Sequence, residues 1–235
     1  MQLFYNTDIS NKTSQITFDK IESKHIVRVL RKEEGDVLKI TNGKGYLFDA
    51  EILVASDKKC IATIINAATK QKQWNYHLHI AIAPTKNNDR IEWFLEKATE
   101  IGIDEITPII CHNSERRVVK KERLEKIIQS AMKQSLKFTL PKLNDSIKFN
   151  DFIAQDIEGL KCIAHCEDLE KNLLKNVAKK TDKITILIGP EGDFSLNEIN
   201  KALENKYQPI SLGESRLRTE TAALVAVNTV ALIQE

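Results

Sequence analysis

Two loops near the carboxyl end of the chain combine glycine with charged residues in patterns suited to ligand binding. The first, GPEGDFS, covers residues 189–195 and lies between an apolar stretch and a helix start. Its glycines let backbone groups approach a ligand closely, and open α/β sheets bind ligands at the carboxyl ends of their strands. The alternative interpretation is a strand-to-helix turn that needs glycine only for its backbone angles. The local sequence is consistent with either a ligand-binding loop or such a turn.

The second loop, SLGESRLRTETA at residues 211–222, places charged residues at the start of a long apolar helix. Arg216 and Arg218 precede this helix, where the helix dipole disfavours positive charge. Such a local cost is typical of positions where function overrides folding preference. The alternative is a solvated loop with ordinary ion pairs.

Other common kinds of site are not indicated by the sequence. It contains neither G-x-x-x-x-G-K-[ST] nor G-x-G-x-x-G, so a nucleoside triphosphatase or a nicotinamide enzyme is not expected. Cys162, His165 and Cys166 are close in sequence, but strand alternation separates the histidine from both cysteines. We therefore predict no metal site, and we expect Cys162 and Cys166 to be core residues.

The composition is typical of a globular protein. The 235 residues suit one or two domains, and 42% hydrophobic with 29% charged residues excludes a disordered tail or a membrane protein. The net charge of +2 gives no global signal for nucleic acid, so positive charge would have to be sorted locally. No signal peptide is evident, and the four cysteines do not form a disulfide framework. We expect a cytoplasmic location.

The elements that position the two loops fall into two regions. Residues 1–72 carry 12 basic and 9 acidic residues, and their short strands and one helix predict a small β-barrel or sandwich. Residues 73–235 alternate strands with amphipathic helices, which predicts a mostly parallel α/β sheet. The predicted strands are 37–41, 46–54, 60–66, 77–83, 106–111, 161–166, 184–188 and 209–212. The predicted helices are 23–30, 89–101, 123–137, 169–179, 196–205 and 219–234.

Turn and capping residues support these boundaries. Asn42-Gly43 is a hairpin signal, and Asp89 is predicted to cap the helix that Gly102 ends. Ser195 and Glu198 have the spacing of a capping box directly after the first loop.

Taken together, the two loops resemble those of SPOUT-class methyltransferases, and within that class the RsmE family. Other blocks agree with the resemblance: KHIVRVLR at 24–31, RIEWFLEKATEIG at 90–102, SER at 114–116 and AMKQ at 131–134. It covers nearly the whole chain. There are three departures: Asp193 stands where the family has a second glycine, Glu214 replaces a common proline, and Lys137 replaces an arginine.

The resemblance implies a fold and an activity. The fold would be a SPOUT-type α/β domain with a deep trefoil knot at residues 73–235, preceded by a PUA-like, RNA-binding β-barrel at residues 1–72. The activity would be S-adenosylmethionine-dependent methylation of N3 of a uridine in 16S rRNA, within the small ribosomal subunit. The enzyme would be a homodimer, with no membrane partner. The alternatives are a non-catalytic RNA-binding assembly factor of the same fold and a SPOUT enzyme that acts on transfer RNA.

The resemblance also assigns residues to roles. The cofactor would contact residues of both loops, namely Leu187, Gly189, Glu191, Gly192, Leu212, Gly213, Leu217, Arg218, Thr221 and Ala222. Arg218 would stabilise the uracil anion that develops during transfer. Glu220 would accept the N3 proton, or would instead be a first-turn carboxylate that interacts with helix amides.

Basic residues dominate the predicted RNA contacts. Five of the eight residues from 116 to 123 are basic, which indicates either an RNA surface or a solvated helix start. The residues assigned to RNA are His25, Arg28, Arg31, Lys86, Arg90, Arg116, Arg117, Lys133 and Gln134. We predict that they form one basic face from the barrel to the cofactor loops, with His25 either contacting RNA or packing.

Overall fold

The computed structural model describes residues 1–234. The chain divides into two compact units, one of residues 1–72 with 132–140 and one of residues 73–131 with the chain from Pro141 onward. Residues 132–140 follow the predicted boundary at 72 by sixty positions in the chain and yet belong to the first unit.

The first unit is built on a mixed sheet. Within the described residues its strand order is β1-β3-β4-β5-β2, with β1 parallel to β3 and the other pairs antiparallel. The strands are β1 (Leu3–Tyr5), β2 (Gln15–Thr17), β3 (Val37–Thr41), β4 (Tyr46–Val54) and β5 (Ile61–Thr69). The predicted strands at 37–41 and 46–54 are confirmed, and the third extends three residues beyond its predicted end.

The core of the first unit comes from alternate residues of its strands and from one helical segment. Leu38, Ile40 and Phe48 are fully buried in it. α1 (Lys20–Lys24) begins after Asp19, whose side chain accepts from the Glu22 amide, and continues into a π-helical turn at His25–Val29. The helix thus begins three residues before the predicted start, because Asp19 caps it.

The hairpin between β3 and β4 explains why residues 132–140 join this unit. The Gly45 amide donates to the Phe138 carbonyl at 2.8 Å, and the Leu140 amide donates to the Gly43 carbonyl at 2.9 Å. Gly43 has φ +69, and a Cβ there would lie 2.9 Å from the Tyr5 ring and 3.0 Å from Leu140. Only glycine fits this contact, so the predicted Asn-Gly turn also serves as a docking point.

The second unit is a parallel sheet covered by helices. Its strand order over the described residues is β11-β13-β10-β12-β6-β7-β8, with β9 also paired to β7. The strands are β6 (His77–Ile82), β7 (Glu105–Ile110), β8 (Lys142–Leu143), β9 (Ile147–Lys148), β10 (Leu160–Ala164), β11 (Asn172–Leu173), β12 (Lys183–Ile188) and β13 (Gln208–Ser211). Ile80, Ile163 and Ile186 in the middle strands are fully buried, as expected for a parallel sheet with both faces covered.

Several helix ends differ from the prediction. The helices of the second unit are α2 (Asn88–Ile101), α3 (Lys121–Gln134), α4 (Phe149–Ile153), α5 (Leu174–Val177), α6 (Leu196–Glu204) and α7 (Thr219–Gln234), with α3 ending in the first unit. The predicted helix at 169–179 is wrong in its first half, which includes β11, and is confirmed in its second half by α5 and a 3₁₀ turn at Ala178–Lys180. α3 ends three residues early, and Leu136 then adopts a left-handed φ of +55.

The capping predictions have mixed outcomes. Asn87, and not Asp89, caps α2, because its Oδ1 accepts from the Asp89 amide at 3.1 Å. Gly102 ends α2 with φ +140, and Ser195 with Glu198 forms the predicted capping box at α6. No helix among residues 1–234 is long and apolar enough to cross a membrane.

Candidate active site

A cavity of about 660 Å³ lies at the carboxyl ends of β10 and β13, and a second lobe of about 290 Å³ extends to the end of β12. Together they have a volume typical of small-molecule sites. Residues that line both lobes are Ala164, Cys166, Asp193, Arg216, Leu217 and Ala222. Because β10, β12 and β13 are parallel, their carboxyl ends meet at one edge of the sheet and bring the two predicted loops together.

Most residues assigned to the cofactor line these lobes. Residues of the larger lobe include Gly192, Leu212, Gly213, Leu217 and Ala222. Residues of the smaller lobe include Gly189, Glu191, Leu217, Arg218 and Ala222. Leu187 and Thr221 line neither: Leu187 is fully buried in the core, and Thr221 is half-buried on α7.

The loop at 189–195 is held by side chains from neighbouring loops. The Asn113 amide group donates to the carbonyls of Gly192 at 3.0 Å and Asp193 at 3.1 Å. Asp193 adopts φ +62, and its carboxylate accepts from the amides of Cys166 at 2.7 Å and Phe194 at 2.8 Å. The sequence analysis did not predict a role for Asn113. The signal that could have identified it is its position directly before the SER block at 114–116.

A second set of contacts holds the other side of the same loop. The Glu191 carboxylate accepts from the Lys86 amide at 3.0 Å. The Arg116 guanidinium donates to the carbonyls of Lys86 at 2.7 Å and Thr85 at 3.1 Å. Arg116 is therefore engaged with backbone next to the site, and Glu191 fixes the loop that follows β6 to the loop that follows β12.

The predicted catalytic pair lies at the start of α7. Glu220 is 6% exposed, and its Oε2 has no hydrogen-bond partner. The Nε of Arg90 is 3.8 Å from the other oxygen, Oε1. Arg218 is exposed and lines the smaller lobe, and the Thr219 hydroxyl donates to the Gly189 carbonyl at 3.0 Å. The last bond joins the two predicted loops directly.

Of the two cysteines predicted to be core residues, the structure buries Cys162 but not Cys166. Cys162 is buried, and burial raises its pKa to about 12. Cys166, which was predicted to be a core residue, is exposed because β10 ends two residues before it and the chain turns toward the cavity. Burial lowers the pKa of His165, which lines the larger lobe. The described residues contain no cluster of histidine, cysteine and carboxylates that could hold a metal ion.

The residues predicted to contact RNA are distributed over both units. Those in the first unit are His25, Arg28, Arg31, Lys133 and Gln134, and those in the second are Lys86, Arg90, Arg116 and Arg117. Arg28 is ion-paired with Asp57, and Lys133 lies 3.7 Å from Glu22. Lys86 is ion-paired with Glu115 at 2.8 Å. Local carboxylates thus offset several of these charges.

Comparisons with known proteins agree with the geometry. The protein-family model for the RNA methyltransferase domain matches residues 72–231. The family model for the RNA methyltransferase PUA domain matches residues 18–65. The fold and the site thus define an RNA methyltransferase with a PUA domain.

Relatives and solved structures narrow this class. A ribosomal RNA small subunit methyltransferase E 2 from Borreliella burgdorferi is 30% identical, over 86% of this chain and 85% of its own. A crystal structure from Porphyromonas gingivalis, described as a probable rRNA-methyltransferase, is 42% identical, covers 100% of this chain and 98% of its own, and has a TM-score of 0.91. A crystal structure of a ribosomal RNA small subunit methyltransferase E from Neisseria gonorrhoeae bound to S-adenosyl methionine is 26% identical. It covers 97% of this chain and 95% of its own, and has a TM-score of 0.85. The chain belongs to the family of ribosomal RNA small subunit methyltransferase E proteins.

Proposed function

We propose that this protein transfers a methyl group from S-adenosylmethionine to N3 of a specific uridine in 16S rRNA. The observation that carries the proposal is the two-lobed cavity between the loops at 189–195 and 211–222, at the carboxyl edge of the sheet. The S-adenosyl methionine complex of the Neisseria gonorrhoeae relative supports the choice of cofactor.

The cavity suits S-adenosylmethionine in size and in chemistry. Side chains such as Ile210, Leu212 and Leu217 offer an apolar surface for an adenine ring, and the glycines of both loops expose backbone groups for hydrogen bonds. A two-lobed shape accommodates a bent molecule with its two ends in different lobes. The bound cofactor would supply an electrophilic methyl group for an in-line displacement.

Arg218 is proposed to stabilise negative charge on the uracil. Methylation at N3 requires loss of the N3 proton, which leaves negative charge on the base. A guanidinium remains charged at physiological pH, so Arg218 can stabilise this anion but is a poor proton acceptor. Its exposed side chain at the smaller lobe gives RNA access to it.

Glu220 is the proposed proton acceptor. It is buried, and an unpartnered Oε2 leaves a lone pair for the N3 proton. The Nε of Arg90 lies 3.8 Å from the other oxygen, Oε1, so Oε2 is the oxygen left for the N3 proton. The alternative role of Glu220 is to interact with the first amides of α7.

RNA contacts are proposed in each unit, since each unit contains some of the assigned basic residues. The match of residues 18–65 to a PUA domain of RNA methyltransferases supports the role of region 1–72. The substrate would be 16S rRNA, within the small ribosomal subunit in the cytoplasm. Phosphate contacts of this kind would make RNA affinity fall steeply with salt.

A homodimer is proposed from the surface of α7. After Glu220 this helix carries no charged residue, and its outward stripe includes Leu224, Val225 and Leu232. Leu232 is 61% exposed. Asn228 lies on the same side and is exposed, so the stripe is largely but not wholly apolar. Exposed apolar stripes of this kind are typical of interaction surfaces, and a second copy of the chain would cover this side.

A trefoil knot is proposed from the strand order. β12 and β13 lie on opposite sides of β10, so the chain crosses β10 between them. α7 then returns to pack against β6 and β12. A knot requires the chain to pass through a loop formed by other residues, and this crossing with its return supports such a path; knots are rare exceptions among folds. Stretching a single molecule from its termini would stop short of the full contour length if the chain is knotted.

The test of the proposed function is methylation of unmethylated small ribosomal subunits, free 16S rRNA and transfer RNA with labelled cofactor, followed by nucleoside analysis. We expect 3-methyluridine in 16S rRNA with the wild-type protein. Arg218→Ala should reduce turnover about 100-fold or more while cofactor affinity changes little. Binding of RNA without methyl transfer would favour the non-catalytic assembly factor, and label in transfer RNA alone would assign a different substrate. Unchanged turnover in Arg218→Ala would contradict its role.

A further inference from the structure

We infer that Asp193 is a specificity-determining residue that makes the site prefer the positively charged cofactor over its neutral demethylated product. The inference rests on the proposed function and adds a basis for product release. It starts from the conformation of the residue. Asp193 has φ +62, a left-handed conformation that glycine adopts without strain and that aspartate tolerates when its side chain bonds locally.

The position of the carboxylate is fixed by two backbone amides, and it lies close to Gly189. Its two oxygens accept from the amides of Cys166 at 2.7 Å and Phe194 at 2.8 Å. A Cβ at Gly189 would lie 3.3 Å from Oδ1. The negative charge of Asp193 is therefore held between the residues that follow β10 and those that follow β12.

Asp193 lies where the two lobes meet. Glu167, Asp168 and Glu214 line only the larger lobe and Glu191 only the smaller one, whereas Asp193 lines both. In S-adenosylmethionine the sulfur joins the adenosine, the amino-acid chain and the methyl group. A bent molecule with one end in each lobe would therefore place its sulfur near this junction.

Arg216 is the other charged side chain that lines both lobes. It is exposed, so water screens its charge, whereas Asp193 is half-buried and acts through a less polar medium. Lys171 lines only the larger lobe and Arg218 only the smaller one. At the junction the negative charge of Asp193 is therefore screened less than the positive charge of Arg216, and it favours a cation there.

The charge of the ligand changes during the reaction. The electron pair on N3 forms the new N–C bond, the C–S bonding pair returns to sulfur, and the N3 proton passes to the base. Sulfur is thus a sulfonium cation before transfer and a neutral thioether after it. The attraction from Asp193 is lost in the same step, which weakens binding of S-adenosylhomocysteine relative to S-adenosylmethionine.

The test measures the dissociation constants of S-adenosylmethionine and S-adenosylhomocysteine by calorimetry for the wild type, Asp193→Asn and Asp193→Gly. Both substitutions suit a left-handed φ and remove the charge, but only asparagine retains a side-chain acceptor. We expect both to weaken S-adenosylmethionine about tenfold and S-adenosylhomocysteine less than about twofold. Glu204→Gln, which removes an exposed carboxylate that lines neither lobe, should leave the ratio unchanged.

The outcomes separate the inference from the proposed function. Equal weakening of both ligands would assign Asp193 a positioning role only and overturn the inference. An effect in Asp193→Gly but not in Asp193→Asn would do the same, because it would follow the hydrogen bonds and not the charge. A wild-type protein that binds neither ligand would overturn the proposed function itself. Wild-type binding and methyl transfer with an unchanged ratio in the variants would overturn the inference alone.

Discussion

Glu220 combines a buried carboxylate with an oxygen that has no partner, an arrangement that normally costs stability. Glu220 lines neither lobe, but Arg218 and Thr219, which precede it in the chain, line the smaller one. We propose that its role in the reaction explains this cost. Strain or unpaired groups of this kind concentrate at sites where function outweighs folding.

Glu220→Gln tests this explanation. If Glu220 accepts the N3 proton, turnover should fall about 100-fold or more, because general bases contribute rate factors of this order. Cofactor affinity should change little. The measurement is single-turnover methylation alongside calorimetric cofactor binding. Turnover close to wild type, with a lowered melting temperature, would assign Glu220 to capping α7 instead.

Asn113 provides a second test at the scale of one residue. Asn113→Ala removes two hydrogen bonds to the carbonyls of Gly192 and Asp193, so the loop at 189–195 should lose part of its support. We expect weaker cofactor binding and a loss of about 1 kcal/mol in the free energy of unfolding. Calorimetry and urea unfolding measure the two effects. Asn197→Ala, at an exposed position on α6, is the matched control and should leave cofactor affinity unchanged.

At the scale of elements, the parallel strands are held by apolar residues with few polar exceptions. His79 in β6 is one such exception, and its ring nitrogen Nε2 lies 2.7 Å from the Thr107 hydroxyl of β7. Burial lowers the pKa of His79 to about 4 from an ordinary value of 6.5. The folded protein therefore binds this proton less readily than the unfolded chain.

The pH dependence of stability follows from this difference. Between about pH 6.5 and pH 4 the unfolded chain carries the His79 proton and the folded protein does not, so stability rises with pH over this range. The contribution of His79 is fully present above pH 6.5 and is lost as the pH falls toward 4. Urea unfolding across this window should show a decline that His79→Gln reduces. An identical decline in the variant would exclude His79 as its source.

Element boundaries were predictable where the signal was local. The capping box at Ser195 and the hairpin signal at Asn42-Gly43 depend on neighbouring residues, and both predictions are confirmed. The helix predicted at 169–179 is wrong in its first half, because Leu173 pairs with Ser211 of β13 and so belongs to a strand. Such pairing joins distant residues, and local propensity does not report it.

At the scale of the whole molecule, the exposed stripe of α7 makes the proposed dimer testable. Leu232→Glu places a charge in this stripe and should convert a dimer to a monomer, because a buried unpaired charge is costly. Leu196→Glu is the matched control, since both leucines are 61% exposed and only Leu232 lies on α7. Sedimentation velocity distinguishes the species. A monomeric wild type, or a Leu232→Glu variant that remains dimeric, would contradict the proposed interface.

The sequence by itself determined the class of the protein and pointed to the two loops that line the cavity. Alternating apolar strands and amphipathic helices predict the parallel sheet, and the two loops with their glycines and arginines predict the ligand site. Both signals are periodic or local, so they are present in the order of the residues. The family resemblance then added the expected chemistry.

Only the tertiary structure decided which side chains meet. It brought Asn113 to the loop at 189–195, and it placed Asp193 at the junction of two lobes. In the structure Leu187 is buried in the core and does not line the cavity, and Cys166 is exposed. These contacts join residues up to eighty positions apart, and they exist because parallel strands gather their carboxyl ends at one edge of the sheet. Strand order sets that meeting point, and it depends on long-range pairing that no local pattern encodes.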